Sequence, residues 1–303
     1  MADTRVKIAG VDFKNPVITA SGCFGYGEEY EDFYPLSELG GISTKGTTRY
    51  ERFGNPTPRI AECPSGMLNS VGLQNPGIEH FINVSLPKLM KKNTVIIANI
   101  AGSTSEECAE MAAMLDETAV HMLELNISCP NVKKGGAAFG TCCESAAQVT
   151  SAVRAATKKP LIVKLTPNVT SISEIAKAVE AAGADCVSLI NTLLGMRIDT
   201  KTRRPVLRNN TGGLSGAAVL PIAVRMVYEV SHAVEIPVIG MGGVSSGTDA
   251  IELMLAGASA VQVGAAMFTD PFAPIKIIDE IGKYLDENNI ESIKEIIGAV
   301  KLW

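Results

Sequence analysis

Aromatic residues are scarce in this chain, at 5% of 303 residues with one Trp, against 46% hydrophobic residues overall. A core of that composition has to be built from Ala, Val, Ile and Leu, which suits parallel strands covered by helices. No run approaches the roughly 20 continuous apolar residues of a membrane-spanning helix, so no membrane association is expected. A long basic tract is also missing. The formal charge is −5 with both signs mixed along the chain, which leaves nothing to neutralise a phosphodiester backbone, and no nucleic-acid partner is expected. The start MADTRVKIAGVDF is too short and too interrupted by charge for a secretory leader, so a reducing cytoplasm is expected. The seven cysteines lack close pairs apart from the adjacent Cys142 and Cys143, so no thiolate framework for zinc or an iron–sulfur cluster is present and no metal site is expected. Histidine is nearly absent too. His80, His121 and His232 fall in or beside predicted helices or at a strand start, and surface or packing roles are expected for them. The commonest general base is therefore not the expected one here.

What the chain does have is a repeating pattern of short apolar runs ending in Gly, Asn, Ser or Pro, each followed by a segment of helical period. Eight runs read as strands: PVITASG from Pro16, GISTKG from Gly41, TVIIANIAG from Thr94, HMLELNISCP from His121, PLIVKLTPN from Pro160, CVSLINT from Cys186, PVIGMGG from Pro237 and AVQVGAA from Ala260. Ser103 with Glu106 and Ser171 with Glu174 have capping-box spacing just after strands, and AEMAAMLDE, SEIAKAVEAAG and TDAIELMLAGA read as helices. The fold class is α/β, a (β/α)8 TIM barrel with a short N-terminal hairpin, and residues 1–303 read as one domain. An open doubly wound sheet is the structural alternative, but its early glycine-rich turn is absent. Two segments, Thr47 to Pro76 and Arg197 to Gly216, read as irregular and too long for ordinary connections, which marks them as active-site loops.

Chemistry in such a barrel sits at the carboxyl ends of the strands. Those ends carry Thr44, Lys45 and Gly46, then Asn99, then NISCPN from Asn126 to Asn131, then Lys164, then Asn191 and Thr192. The last two strands end in Gly242, Gly243 and in Gly264, Ala265, where small side chains let backbone N–H groups approach an anion. Tight turns are one explanation of these glycines and a phosphate site is the other; their occurrence at both strand ends favours phosphate. Lys164 interrupts the run LIVKL, where an unpaired charge is costly. It reads as an imine-forming residue, a neighbour of an electron-rich cofactor, or half of a structural ion pair. Cys129 sits among Ser128, Asn126 and Asn131 with amide and hydroxyl groups around its thiol, and is the candidate base. Cys23, Cys63, Cys108, Cys142, Cys143 and Cys186 lack that setting and mostly read as apolar packing residues.

Eight strings in order give the chain a resemblance over its whole length to class 1 dihydroorotate dehydrogenases. They are TASGCFGYG from Thr19, STKGTT from Ser43, LNSVGLQNPG from Leu68, NISCPNVKKGG from Asn126, VKLTPN from Val163, INTLLGMRID from Ile190, TGGLSG from Thr211 and GMGGV from Gly240. LNSVGLQNPG and INTLLGMRID look most like the subtype that associates with a separate FAD and iron–sulfur (2Fe-2S) subunit and passes electrons to NAD. The resemblance implies FMN, contacting Ser21, Lys45, Gly46, Asn99, Asn126, Lys164 and Ile190 at ring and ribityl chain, and Gly216, Gly242, Gly243, Gly264 and Ala265 at the phosphate. It implies a dihydroorotate site over the flavin at Lys45, Asn69, Ser70, Val71, Gly72, Leu73, Asn126, Asn131, Asn191 and Thr192.

The implied reaction is oxidation of dihydroorotate to orotate in pyrimidine biosynthesis, with Cys129 as the base, hydride leaving for the flavin, and Lys164 offsetting charge on the ring. The family's membrane-bound class uses serine as base and carries an extra N-terminal segment, neither of which is seen here. A homodimer within a heterotetramer is the implied assembly. Three other readings stay open: a fumarate-linked enzyme of the same family, a flavin-free phosphate-binding aldolase or isomerase using Lys164, and a barrel kept as a binding scaffold.

Overall fold

The computed structural model describes residues 2–128 and 139–303. Eight parallel strands close into a barrel: β1 (Val17–Thr19), β2 (Gly41–Ser43), β3 (Val95–Ile100), β4 (Met122–Asn126), β5 (Leu161–Lys164), β6 (Cys186–Leu189), β7 (Val238–Met241) and β8 (Ala260–Val263). They pair in chain order and β8 returns to β1, with Val261 opposite Val17 and Val263 opposite Thr19. Every residue of all eight strands is buried. That is the signature of strands enclosed on both sides, and it is why the runs look continuously apolar rather than alternating. All eight expected strands form, and so does the N-terminal hairpin, in which Val6–Ile8 pairs antiparallel with Val11–Phe13.

Helices α1 (Ser105–Asp116), α2 (Cys143–Ala156), α3 (Ile172–Ala181), α4 (Leu220–Ser231), α5 (Gly247–Leu255) and α6 (Ala273–Glu287) follow β3 to β8 in turn. The starts of all but α2 are fixed by side-chain caps or by proline in the first turn, which lacks the N–H that a helix start leaves unpaired. Ser171 caps α3 by accepting from the Glu174 N–H, as its spacing implies. The cap of α1 lies one residue beyond the expected Ser103 with Glu106. Thr104 accepts from the Glu107 N–H, and the Glu107 carboxylate accepts from the Ser103 N–H at 2.6 Å. Adjacent hydroxyl residues each stand three before a glutamate, so spacing alone does not choose between them. A full capping box that the sequence analysis did not single out starts α5, between Ser246 and Asp249.

The two long segments are mostly irregular, as expected, but each also contains short strands, which corrects the sequence expectation in part. Ile60–Cys63 and Gly66–Asn69 form a hairpin within the first, Gly212–Ser215 closes the second, and with Leu193–Gly195 they make a four-stranded antiparallel sheet. Ile198–Asp199 and Arg204–Pro205 form a further short pair. These strands have two to four residues each, too few for a readable period, and the pairing that joins the two segments, Gly66–Asn69 with Gly212–Ser215, is distant in the chain. The sheet hangs at the carboxyl end of the barrel, because Leu193–Gly195 follows directly from β6.

The sheet tolerates little added volume at Gly213. A Cβ there would overlap the Thr192 hydroxyl and Cβ. Gly213→Ala is therefore expected to lower unfolding free energy by about 1–3 kcal/mol, the usual cost of overpacking, measured by urea denaturation; an unchanged midpoint would show that the sheet can move aside.

Candidate active site

The site is built on a polar layer inside the barrel. Ser43, Glu124, Ser188 and Gln262 come from β2, β4, β6 and β8, and a barrel of this geometry stacks its interior in layers supplied by alternate strands. Glu124 is fully buried, and its carboxylate joins the layer. Ser188 Oγ and Gln262 Nε2 each donate to Oε1 at 2.8 Å, while Ser43 Oγ donates to Oε2 at 2.7 Å. Asn99 Nδ2 of β3 supplies a fourth bond, to Oε2 at 2.6 Å. Burial pushes the Glu124 carboxyl upward, but the Lys164 charge and the hydrogen bonds from Ser43, Gln262 and Asn99 outweigh it and hold Glu124 below its ordinary value. Sequence reasoning missed this residue. The available signal was a charged side chain interrupting MLELN, the same signal that picked out Lys164 in LIVKL.

Above the layer, the strand ends meet at one mouth. Lys164, at the end of β5, is 4% exposed; among the described residues its ammonium makes no hydrogen bond or ion pair. An amide and hydroxyl chain runs beside it. Asn126 Oδ1 accepts from Ser128 N–H at 3.1 Å and Ser128 Oγ at 2.7 Å, and Ser128 Oγ accepts from Asn191 Nδ2 at 2.7 Å. Thr192 N–H then donates to Asn191 Oδ1 at 2.7 Å. With its carbonyl used in this way, the Asn126 amide nitrogen is left to donate into the mouth.

Asn126, Lys164, Asn191 and Thr192 line a cavity of about 1100 Å³, at the upper end of the roughly 300–1000 Å³ usual for one ligand. That is room for a cofactor with a substrate beside it. Opposite the amides, Gly216, Gly242, Gly243, Gly264 and Ala265 contribute to the wall. The N–H groups of Gly243, Gly264 and Ala265 donate to no acceptor among the described residues. Gly243 has φ of 83°, and a Cβ there would lie 2.7 Å from Leu220 N, so the position requires glycine and keeps the backbone open to an anion. A smaller cavity of about 390 Å³ adjoins Lys45, with Glu28, Glu29 and Glu51 in its wall.

Of the residues expected at the site, Ser21, Lys45, Gly46, Asn69, Val71, Leu73, Asn126, Lys164, Ile190, Asn191 and Thr192 come together in the wall of the larger cavity. Ser70 and Gly72 are not in that wall. The chain alternates, so Asn69, Val71 and Leu73 face the cavity while Ser70 is wholly buried behind it. Asn99 lies beneath the wall, behind Gly46, whose Cβ would meet Asn99 Oδ1 at 3.0 Å. Cys129 and Asn131 fall outside the described residues.

The cysteines depart from the packing role expected for most of them. Cys108 and Cys186 are buried, but Cys142 and Cys143 are exposed, and Cys23 and Cys63 line the cavity. Burial pushes the Cys23 thiol up, against the charges of Lys164 and Lys45. His121 is half-buried with its Nδ1 accepting from Ile96 N–H at 3.0 Å, and His80 and His232 are exposed. Among the described residues no group of three or more His, Cys, Asp or Glu side chains is placed to hold a metal ion, and no helix is long and apolar enough to cross a membrane.

Fold and cavity define an α/β-barrel with small residues and open backbone at the ends of β7 and β8 and a buried lysine facing the same space. Comparison with known proteins gives the family: the model described as dihydroorotate dehydrogenase matches residues 4–285. A protein of Geobacillus sp. (strain WCH70) is 58% identical over 97% of this chain and 94% of its own length, and one of Bacteroides thetaiotaomicron is 55% identical over the full length of both. A third, from Halalkalibacterium halodurans, is 55% identical over 99% of this chain and 98% of its own length. Each bears the name dihydroorotate dehydrogenase B (NAD(+)), catalytic subunit. The chain belongs to the dihydroorotate dehydrogenase family.

Because Glu124 titrates below its ordinary value of 4.5 when folded, its contribution to stability is complete above about pH 4.5 and is lost as pH falls through the lower folded value. Urea unfolding of the wild type should weaken over that acidic range, and Glu124→Gln should show a shallower acid decline. Parallel declines would remove Glu124 from the acid response.

Proposed function

We propose that the chain oxidises dihydroorotate to orotate beside FMN held across the barrel mouth, and that electrons leave for NAD through a separate subunit carrying FAD and an iron–sulfur cluster. One observation carries the reading. A buried Lys164 with no anionic partner among the described residues faces the same cavity as open backbone N–H groups at β7 and β8 and an amide chain at β4 and β6. A phosphate-bearing, electron-accepting ring suits the first two features, and a pyrimidine with imide edges suits the third.

Ser21, Lys45, Gly46, Asn126, Lys164 and Ile190 would hold ring and ribityl chain, with Asn99 supporting from below, and Gly216, Gly242, Gly243, Gly264 and Ala265 the phosphate. When bound, FMN supplies a two-electron hydride acceptor. Lys164, held in place by burial, would stand beside the ring edge to offset negative charge there without having to reorganise. Asn69, Asn126, Asn131, Asn191 and Thr192 orient the pyrimidine by matching its donors and acceptors, while Val71 and Leu73 keep water out. Lys45 neutralises the substrate carboxylate.

Cys129 follows Ser128 directly, so the hydrogen-bonded Asn126, Ser128 and Asn191 lead into it. As thiolate it takes the proton from the substrate carbon next to the ring carbonyl, while hydride leaves the adjacent carbon. The C–H electron pair freed by proton removal becomes the new ring double bond. Both charges depart in opposite senses, so no free carbanion needs to be stabilised.

Cys129→Ala is expected to keep bound yellow flavin and to slow its reduction by dihydroorotate roughly 10²- to 10⁴-fold, the usual contribution of a positioned base. Stopped-flow absorbance measures this, and a near-normal rate would reject Cys129 as base. The relatives' name specifies a catalytic subunit linked to NAD. Dihydroorotate-dependent NAD reduction is therefore expected from this chain co-purified with an FAD and iron–sulfur subunit and not from the chain alone. NAD reduction by the isolated chain, or turnover with fumarate in its place, would overturn the electron route.

A further inference from the structure

Glu124 is a buried charge with no part in the proton and hydride transfers just described. It is also the point on which the polar layer converges. Four donors from β2, β3, β6 and β8 end on its two oxygens. Two of those donors are amides, and an amide whose nitrogen is committed has its carbonyl direction fixed as well. Asn99 Oδ1 and Gln262 Oε1 are both fully buried and both without a hydrogen-bond partner. An unpaired buried acceptor is costly, and two of them attached to one carboxylate call for an explanation. Their placement supplies one: Gln262 lines the large cavity, and Asn99 Oδ1 lies against Gly46, which lines it too.

We propose that Glu124 is a positioning residue of the flavin site, turning the Gln262 amide so that its carbonyl serves a ring donor, fixing the Asn99 amide beneath Gly46, and setting the negative potential against which Lys164 acts. The inference rests on the flavin reading above. It assigns Glu124 no contact with flavin or substrate. Its two effects are separable in principle: orientation travels through Asn99 and Gln262, and charge travels through space to Lys164, whose field Glu124 feels in return. A glutamate that merely filled the barrel would still need donors on its oxygens, but it would not need amides whose own carbonyls are left unpaired.

The test is the flavin-loaded protein with Glu124→Gln. The change keeps volume, removes the charge, and forces a donor against either the Ser43 and Asn99 pair or the Ser188 and Gln262 pair. With a negative charge gone from beneath the ring, reduced flavin is stabilised, so the midpoint potential should move positive. At one fixed poise the oxidised-to-reduced ratio should fall at least tenfold, with a displaced visible absorption band. E124Q that holds flavin with an unmoved potential and band overturns the inference and leaves the functional reading intact. Wild-type protein unable to bind flavin at all overturns both. Should E124Q fail to fold or to hold flavin, Gln262→Leu decides. It removes one carbonyl and keeps the Glu124 charge, and it should weaken FMN binding at least tenfold or shift the band. Unchanged FMN affinity and spectrum in Q262L overturns the inference.

Discussion

A carboxylate sealed inside a closed barrel must be answered from every side, and the interior of this protein is organised around doing so. Glu124 receives hydrogen bonds from residues as far as 138 positions away in the chain, so its satisfaction is a test of closure itself. Were β8 not laid beside β1, Gln262 would not reach across to β4. Breaking a buried charged group from its partners typically costs about 3–5 kcal/mol, because the remaining charge is left in low dielectric. A polar layer of this kind is a poor source of net stability beside an aliphatic one. It does favour a single register, since a slip of one residue would remove the donors together.

The layer also divides the barrel by function. Below it the strand residues are buried and mostly aliphatic, which gives a stiff base. Above it the eight carboxyl ends open on one mouth, and residues from seven of them line the cavity: Ser21, Lys45, Asn126, Lys164, Asn191, Gly242 and Gly264. No single strand supplies a working site. The antiparallel sheet that begins beyond β6 adds Asn69 and Ser215 to the wall from the solvent side. Strand ends thus set the positions of charge and amide, while the sheet narrows the opening above them.

How much of this was legible in the sequence follows from where each signal is stored. The strands were readable because burial on both faces writes itself as uninterrupted apolar runs, and Lys164 was readable as a break in one of them. Glu124 breaks its own run in the same way, yet its meaning depends on Ser43, Ser188 and Gln262, which lie in three other strands and are ordinary residues when read singly. The antiparallel sheet was unreadable for a related reason, since strands of three or four residues carry almost no period and the pairing that unites them joins Gly66–Asn69 to the distant Gly212–Ser215. The alternation that turns Ser70 and Gly72 away from the cavity is a consequence of that unread pairing. At the start of α1, local information was present but degenerate, with Ser103 and Thr104 both correctly spaced from a glutamate.

Glu124 and Lys164 could have formed an ion pair, and the structure avoids it. Every acceptor direction on Glu124 is occupied by a neutral donor, which stabilises its charge without consuming the lysine's. Lys164 then remains a buried cation with its hydrogen-bonding capacity unspent among the described residues, costly in isolation but lowered in cost by a nearby negative charge that does not touch it. A direct pair would have been locally more stable, and a ligand bearing negative charge would have had to compete with Glu124 for every donor on the ammonium. Keeping the two apart holds the cation in place and leaves its donors for whatever enters the mouth. The neutral Ser, Asn and Gln partners are what make that separation possible, so a layer that looks like structural packing sets the chemistry one level above it.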